Sequence, residues 1–75
     1  MKIIFSRHVK KRIKLYSISE EIIDEIISKK PPQKQGKNIL IQPVEGIRYP
    51  VKVIANRHND TVVIITAYPL KRGTP

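Results

Sequence analysis

Ser6–Tyr16, with the sequence SRHVKKRIKLY, is the stretch that decides the fold of this 75-residue chain. Ser6 is typical of a helix N-cap, because its hydroxyl accepts a hydrogen bond from a free amide of the first turn. One face of such a helix carries Val9, Ile13 and Tyr16, at positions i, i+4 and i+7. This apolar stripe predicts an amphipathic helix whose stripe packs against a core. Positive side chains cover the remaining surface of the helix (Arg7, Lys10, Lys11, Arg12 and Lys14).

A second helix is predicted directly after the first, beginning at Ser17 or at Ser19. Both serines are good N-caps, and acidic residues follow them in the first turns, where the helix dipole favours negative charge. The pair Pro31 and Pro32 ends this helix, because proline removes a backbone donor and clashes with the preceding turn. Its isoleucines share one helical face, which indicates a core helix (Ile18, Ile22, Ile23, Ile26 and Ile27).

After Gly36, apolar residues recur at every second position instead of with helical spacing. This alternation predicts three antiparallel strands. The predicted strands are residues 38–42, 46–55 and 61–68. Before the first helix, Lys2–Phe5 is a short β-prone segment that we expect to be a strand or an extended lead-in. The loop between the last two strands is predicted at Asn56–Asp60, so Arg57 and His58 are expected to be solvated charges at its tip.

The predicted fold is therefore an α+β domain with the element order β-α-α-β-β-β, in which two helices pack on one face of a small antiparallel sheet. A chain of 75 residues fits one domain, which we place at residues 1–70, with residues 71–75 as a short basic C-terminal tail. So short a chain buries little core, so dense aliphatic packing or a homodimer would add stability. Monomer and homodimer both stay open.

The charge balance is strongly positive and unevenly distributed. Lysine and arginine total 15 against 6 acidic residues, a formal net charge of +9. Most of the acids lie together in the second helix (Glu20, Glu21, Asp24 and Glu25). Such a field attracts polyanions, and we predict RNA or another nucleic acid as the partner. No apolar run is long enough to predict a membrane span or a signal peptide, and cysteine is absent, so we predict a cytoplasmic protein without membrane association.

The residue types on offer favour RNA chemistry without a metal or a cofactor. The chain has 2 histidines and no cysteine, which argues against a zinc or two-metal site, and its isolated glycines form no phosphate loop. RNA carries its own nucleophile, the 2′-hydroxyl, so cleavage needs only proton transfer and stabilisation of the phosphorane. An imidazole such as that of His8 can donate or accept a proton in such a reaction, and Arg12, one helical turn away, can bind phosphate through two N–H groups. These two residues are the catalytic candidates on the first helix.

Three segments together resemble the RelE/ParE-related toxin-like domains. The segments are Phe5–His8 (FSRH) with Arg12 four residues later, Ile18–Ile23 (ISEEII), and Val63–Pro69 (VIITAYP). They are similar, in the same order, to the pattern S-x-H-x-x-x-R … I-S-x-x-x-I … V-I-T-x-Y of an uncharacterised family of that group. The resemblance covers about residues 3–69 and implies a ribonuclease-like ancestry, with a small acidic antitoxin as a partner. It also implies that Thr66 and Tyr68 of the last strand join His8 and Arg12 in one catalytic site.

Further cations are predicted to bind nucleic-acid phosphates. They are Arg7, Lys10, Lys11 and Lys14 of the first helix, and Arg48 and Lys52, which charge and sheet placement assign to the middle strand. The functional prediction is a metal-independent endoribonuclease of the toxin type, which cleaves RNA through attack by the 2′-hydroxyl. Two alternatives use the same residues: a non-catalytic nucleic-acid-binding or regulatory module, and a partner-binding protein of a toxin–antitoxin pair. Both Thr66 and Tyr68 also have a purely structural explanation. Threonine is a common strand residue, and the tyrosine ring can pack at the rim or in the core.

Overall fold

The computed structural model describes residues 2–70, and the predicted basic tail at 71–75 lies outside them. Helices and strands follow the predicted order β-α-α-β-β-β. The elements are β1 (Lys2–Phe5), α1 (Arg7–Leu15), α2 (Glu20–Lys29), β2 (Gly36–Gln42), β3 (Val51–His58) and β4 (Thr61–Pro69). An α+β fold, with two helices and a four-stranded sheet within residues 2–70, is thus confirmed.

The sheet is mixed, so the prediction of an antiparallel sheet is wrong for one strand. The strand order is β1-β4-β3-β2, and β2, β3 and β4 pair antiparallel as predicted. In contrast, β1 pairs parallel with β4, with Lys2 opposite Thr61 and Phe5 opposite Ile64. A tight hairpin would force antiparallel pairing, whereas β1 is joined to β4 through two helices and two strands, which permits the parallel arrangement.

Serine caps begin both helices. The Ser6 hydroxyl oxygen accepts a hydrogen bond from the Val9 N–H at 3.2 Å, and the Ser19 hydroxyl oxygen accepts one from the Ile22 N–H at 3.2 Å. Of the two predicted starts of α2, the structure therefore uses Ser19. The other serine, Ser17, lies in the turn between the helices with a φ of 56°, in the left-handed region.

The hydrophobic core lies between the two helices and one face of the sheet. From α1 it receives Val9 and Ile13, whereas Tyr16 of the predicted stripe caps the helix end and is 39% exposed. The central strands and the region of α2 supply the other buried apolar residues (Val51, Val53, Ala55, Val62, Ile64, Ala67, Ile18, Ile23, Ile26 and Ile27). Because side chains alternate along a strand, burying one face turns the intervening side chains away from the helices.

A β-bulge at Ile65 decides which way the end of β4 faces, because the register against β3 shifts there by one residue. Regular alternation from the buried Ile64 would turn Thr66 and Tyr68 toward the core. The extra residue reverses this pattern, so that Ala67 is the buried one and its two neighbours face away from the helices.

The middle strand begins later than predicted. Its first residue is Val51, so residues 46–50 lie in the β2–β3 connection, and Arg48 is a residue of this connection rather than of the strand. Pro50 stands directly before the first paired residue. This is where proline is tolerated, because its missing N–H removes no hydrogen bond of the sheet.

The β3–β4 loop is shorter than the predicted Asn56–Asp60, because β3 continues to His58. Arg57 is consequently a strand residue, and the expectation that it is a solvated loop charge is wrong. Its Nη1 donates to the Pro32 carbonyl oxygen at 2.7 Å, and its Nε donates to the Asn59 carbonyl oxygen at 3.0 Å. These bonds tie the α2–β2 connection to the β3–β4 turn.

Replacing Arg57 by alanine should lower the free energy of unfolding by about 1–3 kcal/mol, because two backbone carbonyls then lose a charged donor. Urea denaturation followed by circular dichroism measures the change. Arg12→Ala, in an exposed position of α1, serves as the control and should shift stability by less than about 0.5 kcal/mol. Equal losses in the two variants would contradict a structural role for the Arg57 hydrogen bonds.

Candidate nucleic-acid interface

α1 exposes a dense cationic surface. Its only buried residues are Val9 and Ile13, so every arginine and lysine of the helix is exposed to solvent. The first turn contains no acidic residue. Within residues 2–70, no carboxylate forms an ion pair with an α1 cation, whereas Lys29 of α2 pairs with Glu25 at 3.1 Å. The positive charge of α1 is therefore not neutralised by direct partners in this part of the chain.

A shallow groove of about 350 Å³ runs between α1 and the beginning of α2. The α1 side supplies four of the predicted phosphate-binding residues (Arg7, Lys10, Lys11 and Lys14). Ser19 and Glu20 line the α2 side. One wall of the groove is thus strongly positive, and the opposite wall carries a single carboxylate.

His8 and Arg12 lie on the other flank of α1. Successive helical residues are rotated by about 100°, which puts these two on the side away from Lys10 and Lys14. Both side chains are exposed, and neither lines the groove. Among the described residues they form no side-chain hydrogen bond or ion pair, so they are an imidazole and a guanidinium group one helical turn apart and free to meet a ligand.

The face of the sheet turned away from the helices is here called the open face. Its side chains are Lys2 and Ile4 of β1; Lys37, Ile39 and Ile41 of β2; Lys52, Ile54, Asn56 and His58 of β3; and Thr61, Val63, Ile65, Thr66 and Tyr68 of β4. Lys52 and Tyr68 lie opposite each other, with the ammonium nitrogen 5.8 Å from the ring centroid. Since Thr66 is two residues from Tyr68 on the same face, an ammonium group, a phenol and a hydroxyl lie close together.

The four predicted catalytic residues divide between the two sides of the sheet. α1, with His8 and Arg12, packs on the buried face, whereas Thr66 and Tyr68 project from the open face. No hydrogen bond, ion pair or ring contact joins the two pairs within residues 2–70. The structure therefore groups Thr66 and Tyr68 with Lys52, and His8 with Arg12, but it does not bring these two groups into contact.

Arg48 is separated from Lys52, the other cation predicted for the middle strand. Its guanidinium carbon lies 5.6 Å from the centroid of the Tyr49 ring, within the β2–β3 connection. Lys52 is the one of the two that belongs to β3, and it projects from the open face. Only Lys52 therefore shares a surface with the hydroxyl and phenol of β4.

Sequence reasoning missed the apolar side chains of the open face. Ile39 is 52% exposed and Ile41 is 50% exposed, on either side of the half-buried Leu40. Three consecutive apolar residues in a strand place apolar groups on both of its faces, because alternate side chains point in opposite directions. The run Ile39–Ile41 was therefore the sequence signal from which exposed apolar side chains on β2 could have been predicted.

The two groups should behave as independent sites. The effects of Arg12→Ala and Tyr68→Ala on the free energy of unfolding should add to within about 0.5 kcal/mol, as expected for residues without a shared contact. Lys52→Ala and Tyr68→Ala should instead show a coupling of about 0.5–1 kcal/mol from their cation–π contact. Double-mutant cycles measured by urea denaturation test both statements. Coupling of Arg12 with Tyr68 above that additive range would contradict the separation.

The chain matches no protein-family model, no curated protein and no solved structure. The resemblance to RelE/ParE-related domains therefore rests on the three sequence segments that suggested it. Within the described range 2–70, no helix is long and apolar enough to cross a membrane. The same residues contain no cluster of three or more histidine, aspartate and glutamate side chains that could hold a metal ion.

Proposed function

We propose that this protein binds RNA or another nucleic acid through the cationic surface of α1. One observation carries the proposal: the α1 cations are exposed and without acidic partners in the described chain, and four of them line one groove. A polyanion laid along this surface releases its condensed counterions, and this release supplies most of the affinity of sequence-independent binding.

The charge of α2 gives such a complex its orientation. The acidic first turns of α2 bring Glu20 to the edge of the cationic groove, while Glu21 and Asp24 line a separate groove with Ile3 and Phe5. Carboxylates repel phosphates, so the acidic turns would hold the polyanion to the α1 wall of the groove. Nucleic acid would therefore follow α1 rather than cross both helices.

Removing two charges from the groove tests the proposal. Lys10→Ala combined with Lys11→Ala should weaken binding of a fluorescently labelled RNA at least tenfold at low salt, and should reduce the slope of log affinity against log salt by about 1–2 units, since each lost phosphate contact contributes about 0.7–0.9. Fluorescence anisotropy over a series of salt concentrations gives both quantities.

The matched control removes the same charge from the end of α2, by Lys29→Ala combined with Lys30→Ala. Lys29 already pairs with Glu25, so this variant should lose much less affinity. Equal losses in the two double variants would show that only the total charge matters, and affinity that does not depend on salt would refute phosphate binding altogether.

RNA cleavage is a second candidate function, favoured by the grouping of Lys52, Thr66 and Tyr68 on the open face. In this reaction the 2′-oxygen attacks phosphorus, the bond to the 5′-oxygen breaks, and a 2′,3′-cyclic phosphate and a 5′-hydroxyl result. The Tyr68 phenol would donate a proton to the departing 5′-oxygen, while water takes up the 2′-hydroxyl proton. The Lys52 ammonium would stabilise the charge of the phosphorane, and Thr66 would position the phosphate.

Incubating the purified protein with RNA in the presence of a chelator should yield 2′,3′-cyclic phosphate ends if this second function is correct. Tyr68→Phe should reduce the cleavage rate at least tenfold without weakening RNA binding, because it removes only the proton donor. The control Tyr49→Phe should leave the rate unchanged. Absence of cyclic ends would refute cleavage, and a loss in His8→Ala but not in Tyr68→Phe would move the chemistry to α1.

A further inference from the structure

An apolar band crosses the open face from one edge of the sheet to the other. It runs from Ile41 and Ile39 on β2 through Ile54 on β3 and Val63 on β4 to Ile4 on β1. Strand pairing joins Ile39 to Ile54 and Val63 to Ile4, whereas across β3 and β4 Ile54 lies opposite Thr66 and Val63 lies opposite Asn56. The bulge residue Ile65 links the two halves of the band, because it stands next to Thr66 and two residues from Val63 on the open face, and it is 41% exposed.

The exposed apolar residues are concentrated here and not scattered. The exposed large hydrophobics within residues 2–70 are Ile4, Leu15, Tyr16, Ile39, Ile41 and Ile65. Every isoleucine in that set lies on the open face. Single exposed apolar residues are common on protein surfaces, but a contiguous apolar patch marks an interaction site.

Cations flank the band on both sides. Lys52 lies opposite Ile41 on one side of the band. On the other side, Lys37 precedes Ile39 by two residues on β2, and Lys2 precedes Ile4 by two residues on β1, so each lysine lies on the same face as its isoleucine. None of the side chains that make up the open face is acidic. The open face is therefore an apolar strip between positive margins.

We infer that the open face docks an amphipathic helix of a partner protein, with apolar side chains along the band and carboxylates on both flanks. Four strands about 4.8 Å apart give the band a length of roughly 15 Å. About three turns of helix, with a pitch of about 5.4 Å, match this length. The inference goes beyond nucleic-acid binding, because α1 lies on the other side of the sheet.

The chemistry of the open face favours this occupant over two others. A second copy of the chain, docked face to face, would oppose Lys2, Lys37 and Lys52 with the same three lysines, and like charges across an interface repel. Nucleic-acid bases need flat aromatic surfaces for stacking. The open face has two such rings, those of Tyr68 and His58, and they lie at opposite ends of the β3–β4 pair, on the margins of the band. RNA that met Lys52 and Tyr68 for cleavage would touch one margin and leave the band itself uncovered.

The test uses a synthetic amphipathic peptide of about five helical turns, with isoleucine and leucine on one face and glutamate on both flanks. Titrated into the isotopically labelled protein, it should shift the NMR signals of Ile39, Ile54 and Val63, while those of α1 stay in place. Ile39→Asn should weaken binding at least tenfold, because it puts a polar group into the band. A peptide in which lysine replaces every glutamate should not bind.

Two controls make the result decisive. Leu15→Asn changes an apolar residue of α1 that is 77% exposed, so it removes a comparable exposed group outside the open face and should leave peptide binding unchanged. Circular dichroism of both variants verifies that each is folded. The inference is overturned if the acidic and basic peptides bind equally, if an RNA oligomer shifts the signals of Ile39, Ile54 and Val63 instead, or if sedimentation shows a dimer that Ile39→Asn dissociates.

Discussion

Burial of one face of the sheet under the two helices is the constraint on which the rest of the structure depends. In this chain of 75 residues, the buried hydrophobic residues of the described part form one cluster in this layer, and burial of apolar surface is the main favourable term in folding. α1 contributes only Val9 and Ile13 to it, so the remainder of that helix is free to carry charge. Within residues 2–70, no helix covers the opposite face of the sheet, so its side chains are available for binding.

Those features of the fold that depend on neighbouring residues could be predicted from the sequence. The serine caps, the proline stop and the helical spacing of the isoleucines are local signals, and they gave the order of helices and strands. The parallel pairing of β1 with β4 depends on a contact between distant segments, for which the sequence carries no local signal. The same is true of Arg57, whose Nη1 hydrogen bond reaches Pro32 across 25 positions of the chain.

Individual members of the candidate site could be predicted more readily than their arrangement. Lysine and arginine on a helix with two buried positions are exposed by necessity, so the cationic surface of α1 follows from its sequence. The placement of Thr66 and Tyr68 depends on one bulged residue in β4, which reverses the alternation without any change in composition. The resemblance implied a single site of four residues, whereas the fold places them on two surfaces.

The bulge at Ile65 also affects how the chain can be compared with other proteins. A homologous strand that lacked this one residue would return to strict alternation and present its hydroxyl and phenol to the interior. In an alignment based on sequence alone, the threonine and the tyrosine of the two strands would still be matched. Which residues of two such strands are equivalent therefore depends on the face of the sheet to which each side chain points. An alignment gap of one position at the bulge separates strands whose threonine and tyrosine face inward from strands in which they face outward.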